Sequence, residues 1–103
     1  MTTEVNATSQ DDGRKLVISI KGRFDFGAHQ QFRDAYEKVF PKPKTYEIDL
    51  KEATYLDSSA LGMLLLLRDH AGGESAQVHI THSSTDVRKI LAISNFDKLF
   101  SIS

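Results

Sequence analysis

Three stretches of this chain alternate apolar and polar residues, and the segments between them repeat with the period of a helix. That combination demands a sheet with crossover helices. Leu16, Ile18 and Ile20 share one face of an expected strand over residues 15–22, with Val17, Ser19 and Lys21 on the other. Tyr46, Ile48 and Leu50 repeat the pattern over residues 45–50, and Val78 and Ile80 over residues 77–81. Between the first two strands, Ala28, Phe32, Ala35, Tyr36, Val39 and Phe40 recur at spacings of three and four, so residues 27–40 read as one amphipathic helix. Pro41 and Pro43 end it, because a proline ring disfavours helical geometry in the residue before it. Alternating strands and helices imply parallel strands joined by crossovers.

The remaining elements complete the alternation. Residues 5–8 give a short first strand, and the Asp-Gly at 12–13 suggests a hairpin into the second. A polar loop carrying Tyr55 and Leu56 leads to a helix over residues 58–71, stopped by Gly72 and Gly73. This helix is apolar on most sides and is expected to be the most buried of the set. Ser83 and Ser84 open another helix, with Asp86 in its first turn, where the helix dipole favours acid. Val87, Ile90, Leu91 and Ile93 supply its inner stripe, and Asn95 can end it. Leu99, Phe100 and Ile102 suggest a last short strand. The expected fold class is α/β, a single domain over residues 1–103: a mixed, mostly parallel sheet of four or five strands with about three helices packed on it.

Bulk properties narrow the function. A chain of 103 residues supports one compact domain. The formal net charge of -1 provides no basic field, so nucleic-acid binding is not expected. There is no cysteine, which removes disulfides, thiolate zinc sites and thiol catalysis, and fits a cytoplasmic location. The polar first twelve residues do not resemble a secretory signal. The apolar run from Leu61 to Leu67 is far short of the roughly 20 residues a spanning helix needs, so no membrane insertion is expected.

The informative stretch is the entry into the second long helix, Asp57-Ser58-Ser59-Ala60-Leu61-Gly62. Backbone N–H groups at a helix start are unpaired and carry partial positive charge. A phosphate on a hydroxyl there meets favourable donors and adds about -1.5 to -2 charges. On a surface built to dock a partner, that charge abolishes binding. Ser and Asp are also simply the favoured capping residues, and a cap and a switch are compatible in one loop. Phe24 and Phe26 bracket Asp25; either is a core anchor or an exposed partner contact.

In its whole context, Asp57 to Gly62 resembles the signature of the STAS domain family, and most closely the bacterial anti-sigma factor antagonists. Other pieces agree in order. The turn Gly22-Arg-Phe-Asp25 is similar to the family's turn after the second strand. Glu47-Ile-Asp-Leu50 is similar to its central strand, and Val87 to Leu91 with Asn95-Phe-Asp97 to its third helix and exit. Residue 60 is Ala where many relatives carry Gly, and residue 24 is Phe where an aliphatic residue is usual. The chain stops just after the last expected strand, where many members add a helix, so that C-terminal helix is expected to be absent.

The resemblance implies an anti-sigma factor antagonist. Its unphosphorylated form binds an anti-sigma factor or related serine protein kinase and releases a sigma factor. Phosphorylation at Ser58, with Ser59 the alternative, switches binding off, and a PPM-type serine phosphatase reverses it. Asp25, Phe26, Asp57, Ser58, Ser59, Leu61 and Gly62 are the expected partner-binding residues. The alternative role within the family is a subunit that docks on the ATPase of an ABC-type lipid transport system. No cofactor is expected, and the free protein is expected to be a monomer. Four histidines, His29, His70, His79 and His82, show no helical ligand pair, so no metal is expected. No Gly-x-Ser-x-Gly elbow exists, so Ser58 is not expected to be a hydrolase nucleophile, and Gly72-Gly73 lacks the Lys that a phosphate-binding loop requires.

Overall fold

A computed structural model describes residues 3–103. Five strands form one sheet in the order β1-β2-β3-β4-β5, with β1 Glu4–Gln10, β2 Lys15–Phe24, β3 Thr45–Leu56, β4 Val78–Thr81 and β5 Ser101–Ile102. β1 pairs antiparallel with β2, and every later pair is parallel. The helices α1 His29–Glu37, α2 Ser58–Ala71 and α3 Thr85–Ile93 make the three crossovers. Strand order follows chain order and such crossovers keep one hand, so all three helices fall on the same face of the sheet.

That face is apolar because of the strand alternation. Ile18 pairs with Ile48, Ile48 with Ile80 and Ile80 with Ile102, which lays a row of isoleucines straight across the sheet. Leu16, Tyr46 and Val78 form the neighbouring row. Phe32 and Tyr36 from α1, Ala60, Met63, Leu64 and Leu67 from α2, and Val87 and Leu91 from α3 close over them in one core. Each large aliphatic side chain so buried contributes about 1.5–3 kcal/mol. The opposite face carries the polar half of the alternation: Lys15, Ser19, Lys21, Glu47, Asp49, Lys51 and Thr81.

The hairpin turns through three consecutive left-handed residues, Asp11 (φ 52°), Asp12 (φ 55°) and Gly13 (φ 86°). Asp tolerates that region better than most residues and Gly enters it freely, which is why this Asp-Asp-Gly turns the chain.

Several expectations need correction. β1 is longer than residues 5–8, and β2 runs on to Phe24. β3 continues to Leu56 where a loop was expected. Ser19 pairs with Asp49 but Lys21 with Glu52, and Gly22 pairs with Ala53 but Arg23 with Tyr55. Each step inserts one extra residue into β3, as β-bulges do, and breaks the alternation by which a strand is recognised. The expected first helix is a short 3-10 turn, Phe26–Ala28, followed by α1, which stops at Glu37. Phe40 lies beyond it and is 92% exposed rather than part of the stripe, since Pro41 draws the preceding residue out of helical geometry. Ile93 is 82% exposed. Two residues past Leu91 it has rotated about 200° around the helix, away from the core. α2 is the most buried of the three helices, as expected, although Leu65 and Leu66 on it are 38% and 57% exposed.

Candidate functional site

The parallel strands β2, β3 and β4 all end at one rim, and each hands the chain to a helix whose N-terminus points there. In open α/β sheets the crevice at the carboxyl ends of the strands is the usual place for a site. At the centre of the rim β2 and β3 finish side by side, with Phe24 paired to Leu56 and the Asp57 N–H donating to the Phe24 carbonyl at 3.3 Å. Asp25 and Asp57 therefore leave neighbouring strand ends.

Both acids act as caps. The Asp57 carboxylate accepts from the Ala60 N–H at 2.9 Å and closes the start of α2. The Asp25 carboxylate accepts from the Gly27 N–H at 3.0 Å and shapes the turn into α1. Ser58 is the first helical residue of α2, exposed, while Ser59 is half-buried. The cap is made by Asp57, so the exposed Ser58 hydroxyl is not the group that starts the helix.

From Ser58 an outward face runs down α2 through Gly62, Leu65 and Leu66. A Cβ added at Gly62 would meet nothing within 4 Å, so the helix backbone lies bare there. Leu61 is half-buried against the core. Beside this face a groove of about 260 Å³ separates α2 from α1, with Met63, Leu66 and His70 on one wall and His29, Phe32 and Tyr36 on the other. The His70 and Tyr36 rings lie 5.1 Å apart. Burial holds the His70 imidazole below its ordinary pKa, and the Lys42 charge adds to this. At the rim end of α1, Phe26 is 67% exposed and stacks on His29 with centroids 5.2 Å apart. Of the two bracketing phenylalanines, Phe24 is therefore the core anchor and Phe26 the exposed one.

Two rim residues were not singled out from the sequence. Arg23 sits with its guanidinium 4.6 Å from the centroid of the Tyr55 ring and 3.8 Å from the Asp25 carboxylate. It is the cation beside Asp25. Its place in the Gly22-to-Asp25 turn was a signal, but the Tyr55 contact depends on the bulged register, which no periodicity reveals.

The expected histidine picture changes in one respect. On the polar face of the sheet, ligand atoms of Glu47, Asp49 and His82 lie within 4.8 Å of one another. They already have partners. The Lys15 ammonium lies 2.9 Å from Glu47, the Thr81 hydroxyl donates to Glu47 at 2.9 Å, and His82 Nδ1 lies 3.2 Å from Asp49. The Lys15 hydrogen bond holds the Glu47 carboxyl below its usual pKa. A cation would have to displace that ammonium, so the group reads as an ion-paired surface network. Among the described residues, no helix is long and apolar enough to cross a membrane.

Comparison with known proteins agrees with this architecture. A family described as "Mlab, STAS domain" matches residues 7–101. A STAS-domain containing protein of Pseudomonas aeruginosa (strain UCBPP-PA14) is 66% identical over 99 residues, covering 96% of this chain and 98% of that one. The anti-sigma factor antagonist SpoIIAA, solved in its unphosphorylated form, superposes with a TM-score of 0.76 at 17% identity, over 97% of this chain and 87% of that one. A sulfate transporter family protein of Wolinella succinogenes superposes with a TM-score of 0.73 at 13% identity, over 87% and 78%. At such low identity the two structures speak to the fold alone. The family match spans nearly all of the sheet and its three helices, and with the identity to the Pseudomonas relative it establishes that the chain belongs to the STAS domain family.

Proposed function

We propose that this chain is an anti-sigma factor antagonist, a binding module rather than an enzyme, working in the cytoplasm. In its unphosphorylated form it binds an anti-sigma factor that is also, or is related to, a serine protein kinase, and so frees a sigma factor. Phosphorylation of Ser58 ends the binding, and a PPM-type phosphatase restores it. The observation that carries this reading is the exposed Ser58 at the first position of α2, with its cap supplied by Asp57 and a bare apolar face running away from it.

Each part of the surface has a role in this scheme. Leu65, Leu66 and Phe26 supply apolar contact, and Gly62 lets a partner approach the helix backbone. Asp25, Asp57, Ser59 and Leu61 hold the rim around the acceptor. A phosphate on Ser58 meets the free N–H groups of the α2 start and therefore stays put. It also adds charge beside Asp57 and Asp25, on a surface a partner must desolvate. The likeness in fold to SpoIIAA supports the same role.

A second reading keeps the surface and changes the partner: a subunit docked on the ATPase of an ABC-type lipid transport system. The family description favours it over a switch protein's partner set, and the fold is shared with a sulfate transporter family protein, so the fold is not confined to sigma-factor regulation. The test is affinity capture from native cytoplasm with Ser58→Ala and Ser58→Asp in parallel, partners being identified by mass spectrometry. Retention of an anti-sigma factor or serine kinase by Ser58→Ala and its loss by Ser58→Asp is the expected result. Capture of one transporter ATPase by both variants would leave Ser58 as a surface residue of a transport subunit and refute the switch.

A further inference from the structure

We propose that a second copy of this chain pairs with the first through β1, antiparallel about Ala7, extending the two sheets into one. The two edges of the sheet are unequal. β5 has only Ser101–Ile102, too short to template another strand. β1 has seven residues, bonded to β2 on one side, in an unbroken register from Glu4↔Lys21 to Gln10↔Lys15. Its residues are exposed except Val5, which is half-buried against the core. Native edges are usually guarded by lysine, proline, a bulge or a covering element. β1 has no lysine and no proline, and its register shows no bulge.

The strand is also complementary to itself. A two-fold axis at Ala7 sets Val5 against Ser9, Asn6 against Thr8, and Glu4 against Gln10. The only charge on the strand is Glu4, and it meets a neutral amide. A two-fold contact requires that kind of self-match. The formal net charge of -1 adds little repulsion between copies. The Ser58 rim follows β3, two strands in from this edge, so pairing leaves that surface open on each copy. One strand pair buries less than the roughly 1,000 Å² expected of a stable interface. The dimer is therefore weak and concentration-dependent, and the monomer expected from sequence is its dilute form.

Sedimentation equilibrium over a concentration series tests this. The wild-type mass rises from 11.5 kDa toward twice that value as concentration increases. The double variant Asn6→Lys, Thr8→Lys sets like charges opposite one another in this register, and so does Asn6→Glu, Thr8→Glu. Both positions are exposed, so each variant keeps its thermal unfolding transition while its association weakens at least tenfold. An equimolar mixture of the two associates again, because each lysine then faces a glutamate. A wild-type mass fixed at 11.5 kDa up to about 1 mM, the weak end of specific association, overturns the proposal. So does a double-lysine variant that associates like the wild type, or a mixture that stays monomeric.

Discussion

Tyr46 is the residue whose chemistry least suits its place. Its ring is in the core, 1% exposed, and its hydroxyl is buried with no hydrogen-bond partner among the described residues. Burial accordingly pushes its phenol above the ordinary pKa. A buried hydroxyl left unpaired costs about 1–3 kcal/mol. Tyr46→Phe is therefore expected to match or exceed the wild type in stability, by up to about 1 kcal/mol, in urea denaturation. A loss of that size would reveal a partner for the hydroxyl. At the same scale, the sequence allowed Asp57 and Ser58 to be singled out because acid followed by hydroxyl at a helix start is a local pattern. Arg23 was not legible, since its Tyr55 and Asp25 contacts join a strand end to its neighbour and its own turn.

Among the elements, α2 was read with correct bounds because both ends carry local signals: the Asp57 cap and Gly72, at φ 123°. Which of its leucines face the core was not legible. Leucine fills every side of it, so no periodicity separates Leu64 and Leu67, which are buried, from Leu65 and Leu66, which are not. The far half of β3 was missed for the reverse reason, since two bulges erased a period that the near half shows plainly. α2 also supports a prediction that separates fold from binding. Gly62 sits mid-helix, where glycine costs about 0.8–1 kcal/mol relative to Ala, and nothing lies where its side chain would go. Gly62→Leu should leave the domain at least as stable by thermal denaturation. It should nevertheless lose the partner captured by Ser58→Ala, because the bare backbone is then covered. Retained capture would move the docking surface off this face.

For the molecule as a whole, one titration links the core to acid stability. His70 lies in the groove between α1 and α2 against Tyr36, with Lys42 and Glu37 the charges that act on it. Its folded pKa lies below the unfolded value near 6.5. As pH falls, the unfolded chain takes up this proton first. Stability therefore declines from about pH 6.5 downward and levels off once the pH is below the folded value. Urea midpoints at pH 7.5 and 5.5 should show a larger loss for the wild type than for His70→Asn. Equal losses would mean that His70 is free to charge in place. The architecture was legible at this scale because strand and helix periods alternate regularly along the chain. The rim network was not, since it depends on which strand ends become neighbours.

The division of labour between Asp57 and Ser58 bears on how long a signal can last. Asp57 keeps α2 started whatever happens to the neighbouring hydroxyl. Under the proposed switch, the phosphate's attraction to the N–H groups of the α2 start and its repulsion by Asp57 and Asp25 oppose one another, so adding or removing it shifts the balance between folded and unfolded chain little. Both forms would present the same small unfolded fraction to proteases and share one half-life. The ratio of the two would report only the kinase and phosphatase that set it, undistorted by selective loss of either form.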